Sequence, residues 1–289
     1  MARNQGWKKL AVAIIFLAAS VSIGRAAGQK LEAEVKKLAD NPASEFKIPI
    51  PGSCHTQGMA MDEKYIYFSC VDTLKQQAWI YRVPRGALES GKAGKAVTYE
   101  RVEVSIGDQY HPSGLDIAGR CLWVAVSEYH SAPASSTFIC IERDLFKQAN
   151  YQRFPFSDHI GALAAGKDWL VALNWDAKDF YMLDYSGNLL AKRKNPTGIA
   201  YQDCKYQEGT KILCSGPAGS MGQKGLVDLM DMAGSDDPKA LKRLEVPAVK
   251  GSFRAMTREA MTVDQNKIYF LPQDIPNLTL YVFEMPEGF

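Results

Sequence analysis

The 289-residue chain holds only four histidines, His55, His111, His130 and His159. Imidazole binds divalent transition metals and moves protons near neutral pH. Three of the four stand just ahead of a glycine, in His55-Thr-Gln-Gly58, His111-Pro-Ser-Gly114 and Asp158-His-Ile-Gly161. Three imidazoles with a carboxylate suit a metal that keeps an open coordination position. One imidazole alone suits a general base. A structural reading stands beside both: each ring holds a loop by bonding a backbone carbonyl, as buried polar groups commonly do.

Such chemistry needs elements that bring distant residues together. Each of these glycines opens a short strand that turns into a strongly β-prone run. Gln57–Met61 turns into Tyr65–Phe68, Ser113–Ile117 into Cys121–Val126, and Ile160–Ala164 into Trp169–Leu173. Thr197–Tyr201 leads by a longer turn to Lys211–Cys214, and Glu259–Val263 turns into Lys267–Leu271. Each pair is followed by a third β-rich run, at Trp79–Val83, Thr137–Ile141, Phe180–Tyr185, Leu226–Met230 and Leu278–Phe283. Fourth runs follow in four of the units, at Thr98–Val104, Tyr151–Phe156, Leu189–Lys194 and Leu241–Val246. The last unit reaches Phe289 without one, and Glu45–Ile50 is the strand that fills the gap.

The pattern predicts an all-β protein: a single five-bladed β-propeller over residues 45–289, closed by an N-terminal strand. A β-sandwich explains short strands equally well but not the glycine-led strand that opens four of the five units. Residues 27–44 read as an N-terminal helix and linker, with Leu31, Val35 and Leu38 on one helical face. In a propeller, the loop entering each inner strand and the loop between the second and third strands open on one face. By fold-level analogy alone, ligands bind there, at the channel mouth.

All four histidines map to that face. His111 and His159 are candidate catalytic bases, and His55, Glu128 and Glu259 candidate metal ligands. Arg258 is a candidate anion anchor; Asn174, Trp175, Tyr129 and His130 are further ligand-binding candidates. Glu128, Asp158, Asp176, Gln273, Asp274 and Tyr110 fall in the same loop classes. The set suits one divalent ion, Ca, Mg or Zn, and a small-molecule ligand.

The three glycine-linked starts, with the blade pattern around them, resemble secreted bacterial propeller proteins of unassigned function. More remotely they are similar to the streptogramin lyase and gluconolactonase-like propellers. That resemblance covers the mature chain and implies a mouth site with a divalent metal and a His or carboxylate. The five-unit count departs from the larger blade numbers of those enzymes.

Arg3, Lys8 and Lys9 precede an apolar run, Leu10–Ile23, shorter than the roughly 20 residues of a membrane span. With Gly24-Arg25-Ala26 it reads as a secretory signal over residues 1–26, cleaved after Ala26. The expectation is a periplasmic or secreted protein, off the membrane once cleaved and monomeric. Six cysteines agree with an oxidising compartment, and local pairing predicts bridges 54–70, 121–140 and 204–214. A formal net charge of +2 gives no basis for nucleic-acid binding.

Other motifs fail. Gly86-Ala-Leu-Glu-Ser-Gly-Lys92 has Ala93 where a P-loop needs Ser or Thr. No G-x-S-x-G elbow occurs. The glycine-rich Ser215–Gly225 segment reads as a flexible connection. Two functions are left: a metal-assisted hydrolase or lyase at the mouth, or a non-catalytic ligand- or protein-binding propeller of the cell envelope.

Overall fold

A computed structural model describes residues 33–89, 98–130, 134–219, 222–234 and 236–289. The expected signal segment and residues 29–32 of the expected helix lie outside them. From residue 33 on, the expected helix is instead a strand, β1 (Glu34–Lys37), which pairs in parallel with an outer strand further along the chain. Val35 is exposed and Leu38 buried, a short pattern that helix and edge strand satisfy equally well.

Five sheets follow. After β2 (Ser44–Lys47) comes blade 1: β3 (His55–Met61), β4 (Tyr65–Asp72), β5 (Gln77–Pro84) and β6 (Glu100–Glu103), with a one-turn helix α1 (Arg85–Glu89) between the last two. Blade 2 is β7 (Gln109–Ala118), β8 (Cys121–Glu128), β9 (Ser136–Glu142) and β10 (Lys147–Phe156). Blade 3 is β11 (Ile160–Ala165), β12 (Leu170–Asn174), β13 (Asp179–Leu183) and β14 (Leu189–Lys194). Blade 4 is β15 (Asp203–Tyr206), β16 (Lys211–Ala218), β17 (Lys224–Asp231) and β18 (Lys239–Val246), the strand that β1 joins. Blade 5 takes β19 (Ala260–Asp264), β20 (Lys267–Leu271) and β21 (Thr279–Glu284), and β2 completes it.

The core shows that the ring is closed. Apolar residues gather in clusters that each join two blades: Phe68 with Leu271, Leu122 with Tyr67, Trp123 with Leu163, Phe180 with Ile212, and Leu213 with Phe270. Blades 1 to 5 are thereby linked in sequence and blade 5 back to blade 1, which defines a five-bladed β-propeller. Inner strands are buried almost throughout, whereas the outermost, such as β6 and β14, alternate toward solvent. The three expected disulfides are present, Cys54–Cys70, Cys121–Cys140 and Cys204–Cys214. No helix among the described residues is long and apolar enough to cross a membrane.

Blade 4 departs from the expected pattern. Its inner strand is β15, not Thr197–Tyr201, which forms a loop with Gly198 at φ 67°. Asp203 and Lys205, two residues apart on β15, both turn into the hub. The buried Asp203 carboxylate accepts from the backbone N–H of Met59 (2.9 Å), Met261 (3.1 Å) and Cys204 (3.0 Å), and from Lys205 Nζ (2.5 Å). Lys205 Nζ also donates to the carbonyls of Leu115 and Cys204. Nearby, Asp116 accepts from the N–H of Ala165 and Tyr206. These side chains plug the channel and tie inner strands of all five blades together.

The hub explains two of the repeat glycines. A Cβ on Gly58 would lie 2.3 Å from the Gly114 Cα, and one on Gly114 would lie 2.4 Å from the Asp203 carboxylate. Neighbouring inner strands meet backbone to backbone there, so only glycine fits.

Candidate functional site at the channel mouth

The three glycine-linked histidines sit at the mouth ends of β3, β7 and β11. Each of these strands breaks register with its partner close by: between Thr56 and Met59, on both sides of His111–Pro112, and between Ile160 and Ala162. Such irregularities bend a strand and re-aim its side chains. Of the three, His55 is part-exposed, whereas His111 and His159 are buried.

One half of the mouth, on blades 5 and 1, is ionic. His55 Nδ1 lies 2.8 Å from Asp274 Oδ1, and His55 Nε2 lies 3.7 Å from Glu259 Oε2. The Asp274 loop is held against β3 by the bond from Thr56 Oγ1 to the Gln273 carbonyl (3.1 Å) and by the Cys54–Ile275 bridge. Arg258 Nε is 3.0 Å from Glu259 Oε1. Burial pushes the Glu259 carboxyl up to about 7, against the pull of His55 and Arg258. Burial works to lower the His55 pKa, but the bond to Asp274 and the charges of Glu259 and Asp274 outweigh it and raise the ring above its usual value. Burial likewise works against ionised Asp274, yet His55 holds its carboxyl below the ordinary range.

The other half, on blades 2 and 3, is aromatic. The His111 ring stacks on Trp175 with centroids 5.1 Å apart, and Tyr129 lies 4.6 Å from His111 and 5.6 Å from Trp175. His159 is fully buried behind them, edge-on to Trp175 at 4.1 Å. Its Nδ1 is 2.8 Å from the carbonyl of His130, which only accepts, so Nδ1 carries the proton. Nε2 of His159 then accepts from His111 Nδ1 at 2.8 Å, and His111 is left with a bare Nε2 lone pair. That nitrogen has no hydrogen-bond partner among the described residues. Burial brings His159 down to about 4, and burial with the charges of His159 and His55 holds His111 well below the usual imidazole value. Both rings are neutral at pH 7.

The two halves face each other closely. The charge of His55 is felt at His111, and that of Glu259 helps raise the Tyr129 hydroxyl pKa, after burial and Tyr110.

Several expected residues take other places. Glu128, expected among the metal ligands, accepts from the Ser135 N–H (2.7 Å) and lies 3.6 Å from His130 Nε2, closing the β8–β9 loop. Among the described residues, the group with ligand atoms all within 4.8 Å of one another is His55, Glu259 and Asp274. His159, expected as a base, has both ring nitrogens engaged. Asn174 spends its side-chain oxygen on the Asp179 N–H (3.0 Å) and so shapes the β12–β13 loop. The imidazole of His130 is exposed, and its carbonyl is the part that reaches the site. Asp274 is the partner that sequence reasoning left without a role; its position three residues after the β20 end, opposite His55, was the available signal.

The class is therefore a five-bladed propeller with an ionic and aromatic channel mouth. The sequence matches the family of unknown function DUF6454 over residues 13–286, and the chain belongs to that family. No curated protein matches the sequence. Among solved structures, Myxococcus xanthus glutaminyl cyclase is 13% identical, with 88% of this chain and 98% of that one covered at a TM-score of 0.59. A streptogramin B lyase is 12% identical over 85% of this chain and 87% of its own, TM-score 0.46. Virginiamycin B lyase from Staphylococcus aureus is 10% identical over 84% and 99%, TM-score 0.41. At 13% identity the likeness to the cyclase shows the fold alone.

Proposed function

We propose that the protein is an exported enzyme that transforms a small molecule at the channel mouth by acid–base chemistry of the hydrolase or lyase type. The observation that carries this reading is the buried Glu259 carboxyl, poised at about 7 beside His55 and Arg258. A general acid or base works best with a pKa near the working pH. Asp274 orients His55, and His159 holds His111 in the tautomer whose Nε2 lone pair is open to the mouth.

The same residues fit one divalent ion. Asp274 fixes His55 Nδ1, as the second nitrogen of a metal-bound imidazole is usually fixed, which leaves Nε2 and the Glu259 carboxylate as ligands. An imidazole in the set favours zinc over calcium or magnesium, which prefer oxygen. A bound ion would supply an activated water. The enzyme works as a monomer in the periplasm, on small molecules rather than nucleic acid or membrane. The three disulfides support an oxidising compartment.

The plugged hub and the carbonyl-bound His159 favour a second reading, a non-catalytic binding propeller of the envelope. Carboxyl titration by NMR, joined to turnover of ester, lactone and elimination substrates, separates the two. The enzyme reading expects Glu259 to titrate near neutrality and turnover to fall about 10²–10⁴-fold in Glu259→Gln. A Glu259 titrating in the ordinary carboxylate range, with no turnover in the panel, overturns it. Equilibrium dialysis against Zn²⁺, Mn²⁺ and Ca²⁺, with His55→Ala as control, tests the metal.

A further inference from the structure

The hydrogen-bonding capacity of the mouth is unevenly used. Most rim carboxylates are already engaged: Asp274 by His55, Glu128 by the Ser135 N–H, and Asp158 by the His159 N–H (2.8 Å) and the Tyr181 hydroxyl (2.6 Å). Asp176 is paired with Lys178. The cations are less fully used. Arg258 gives its Nε to Glu259 and keeps its terminal nitrogens without a partner among the described residues. Arg254 is exposed, makes no side-chain ion pair among the described residues, and lies near enough for its charge to act on Glu259. Both arginines belong to the segment that enters β19. Across the mouth, Trp175 and Tyr129 keep 38% and 36% of their surface exposed, as two aromatic rings tilted 47° to each other with centroids 5.6 Å apart.

We propose that the mouth selects small carboxylates that carry a flat apolar group: the carboxylate on Arg258 and Arg254, the flat group against Trp175 and Tyr129. This rests on the reading of the mouth as a small-molecule site and adds the substrate class. A guanidinium fork matches a carboxylate in plane and charge. Aromatic faces at the desolvated edge of a cleft stack on planar groups. A carboxylate held by Arg258 lies next to Glu259, whose Oε1 is 3.0 Å from Arg258 Nε.

Calorimetric titration with phenylacetate, phenylacetamide and acetate tests the class without any need for turnover. Phenylacetate is expected to bind at least about tenfold more tightly than either of the others, the effect of one charged hydrogen bond or one stacked ring. Arg258→Gln and Arg254→Gln remove the preference over the amide, and Trp175→Ala removes the preference over acetate. Arg254 lies on an exposed loop, so its variant reports on binding even if Arg258→Gln loses its fold, which thermal unfolding checks. Equal affinity for acid and amide overturns the proposal, as does a preference that survives Arg254→Gln and a folded Arg258→Gln. Phenylacetate binding that persists in Glu259→Gln supports it. If acid and amide bind alike while Glu259 still titrates near 7, the substrate class fails and the acid–base reading stands.

Discussion

The hub and the mouth each hold a buried carboxylate beside a cation, yet they are built for different ends. Asp203 meets three backbone N–H groups and the Lys205 ammonium. Burial still raises its carboxyl, to about 6, against the pull of Lys205 and those N–H groups. Glu259 is nearly as buried but has only His55 and Arg258, each with a competing partner or an exposed end, and burial carries it to about 7. A carboxylate surrounded by donors from its own fold is a fastener. One left short of donors at an open edge retains capacity for an outside group.

Variants of the two sites test that contrast. The largest effect is expected at the hub: Asp203→Asn leaves Lys205 as an uncompensated buried charge and costs about 3–5 kcal/mol in urea unfolding. Glu259→Gln moves stability the other way. A folded pKa above the free value means that the protonated form stabilises below pH about 4.5, and that this contribution is lost as pH rises through about 7. Glu259→Gln should therefore be more stable than the parent at pH 8, by up to about 3 kcal/mol. His159 has the opposite sign: its contribution is present above the free imidazole value and lost as pH falls toward about 4. With Glu259 replaced, the rise of stability with pH between about 4.5 and 7 should steepen. A flat difference between parent and variant across that window would show that Glu259 does not titrate near neutrality.

Two glycines sharpen the comparison further. Gly58→Ala drives a Cβ into the Gly114 backbone and is expected to cost about 1–3 kcal/mol. His111→Ala leaves the buried Nε2 of His159 without its donor and is expected to cost about 1–3 kcal/mol. At Gly161 the nearest atom to an added Cβ is 3.4 Å away, and Gly161→Ala should cost under about 1 kcal/mol.

The blades were legible because β-prone runs of fixed order leave a period that a single chain reveals. Third and fourth strands such as Leu189–Lys194 fell where the pattern put them. Blade 4 was misread because Gly198 imitates the glycine of the other inner strands, while the real strand carries Asp203 and Lys205, which look like surface residues until the ring closes. The mouth was legible at the level of loops: residues from distant units were assigned to one face by topology. Pairings across it were not. Asp274 with His55 and His159 behind His111 depend on side-chain aim, which the register breaks set and composition does not reveal. Residues 33–40 were misread because four residues are too few to distinguish a helix face from an edge strand.

The way the ring is sealed bears on when the molecule matures. β2 completes the sheet of β19, β20 and β21, and β1 is stitched to the blade before it. Ring closure therefore waits until β21 has been made. Until β21 arrives β2 has no partner, so the seam that joins blade 5 to blade 1 is the last part of the ring to form.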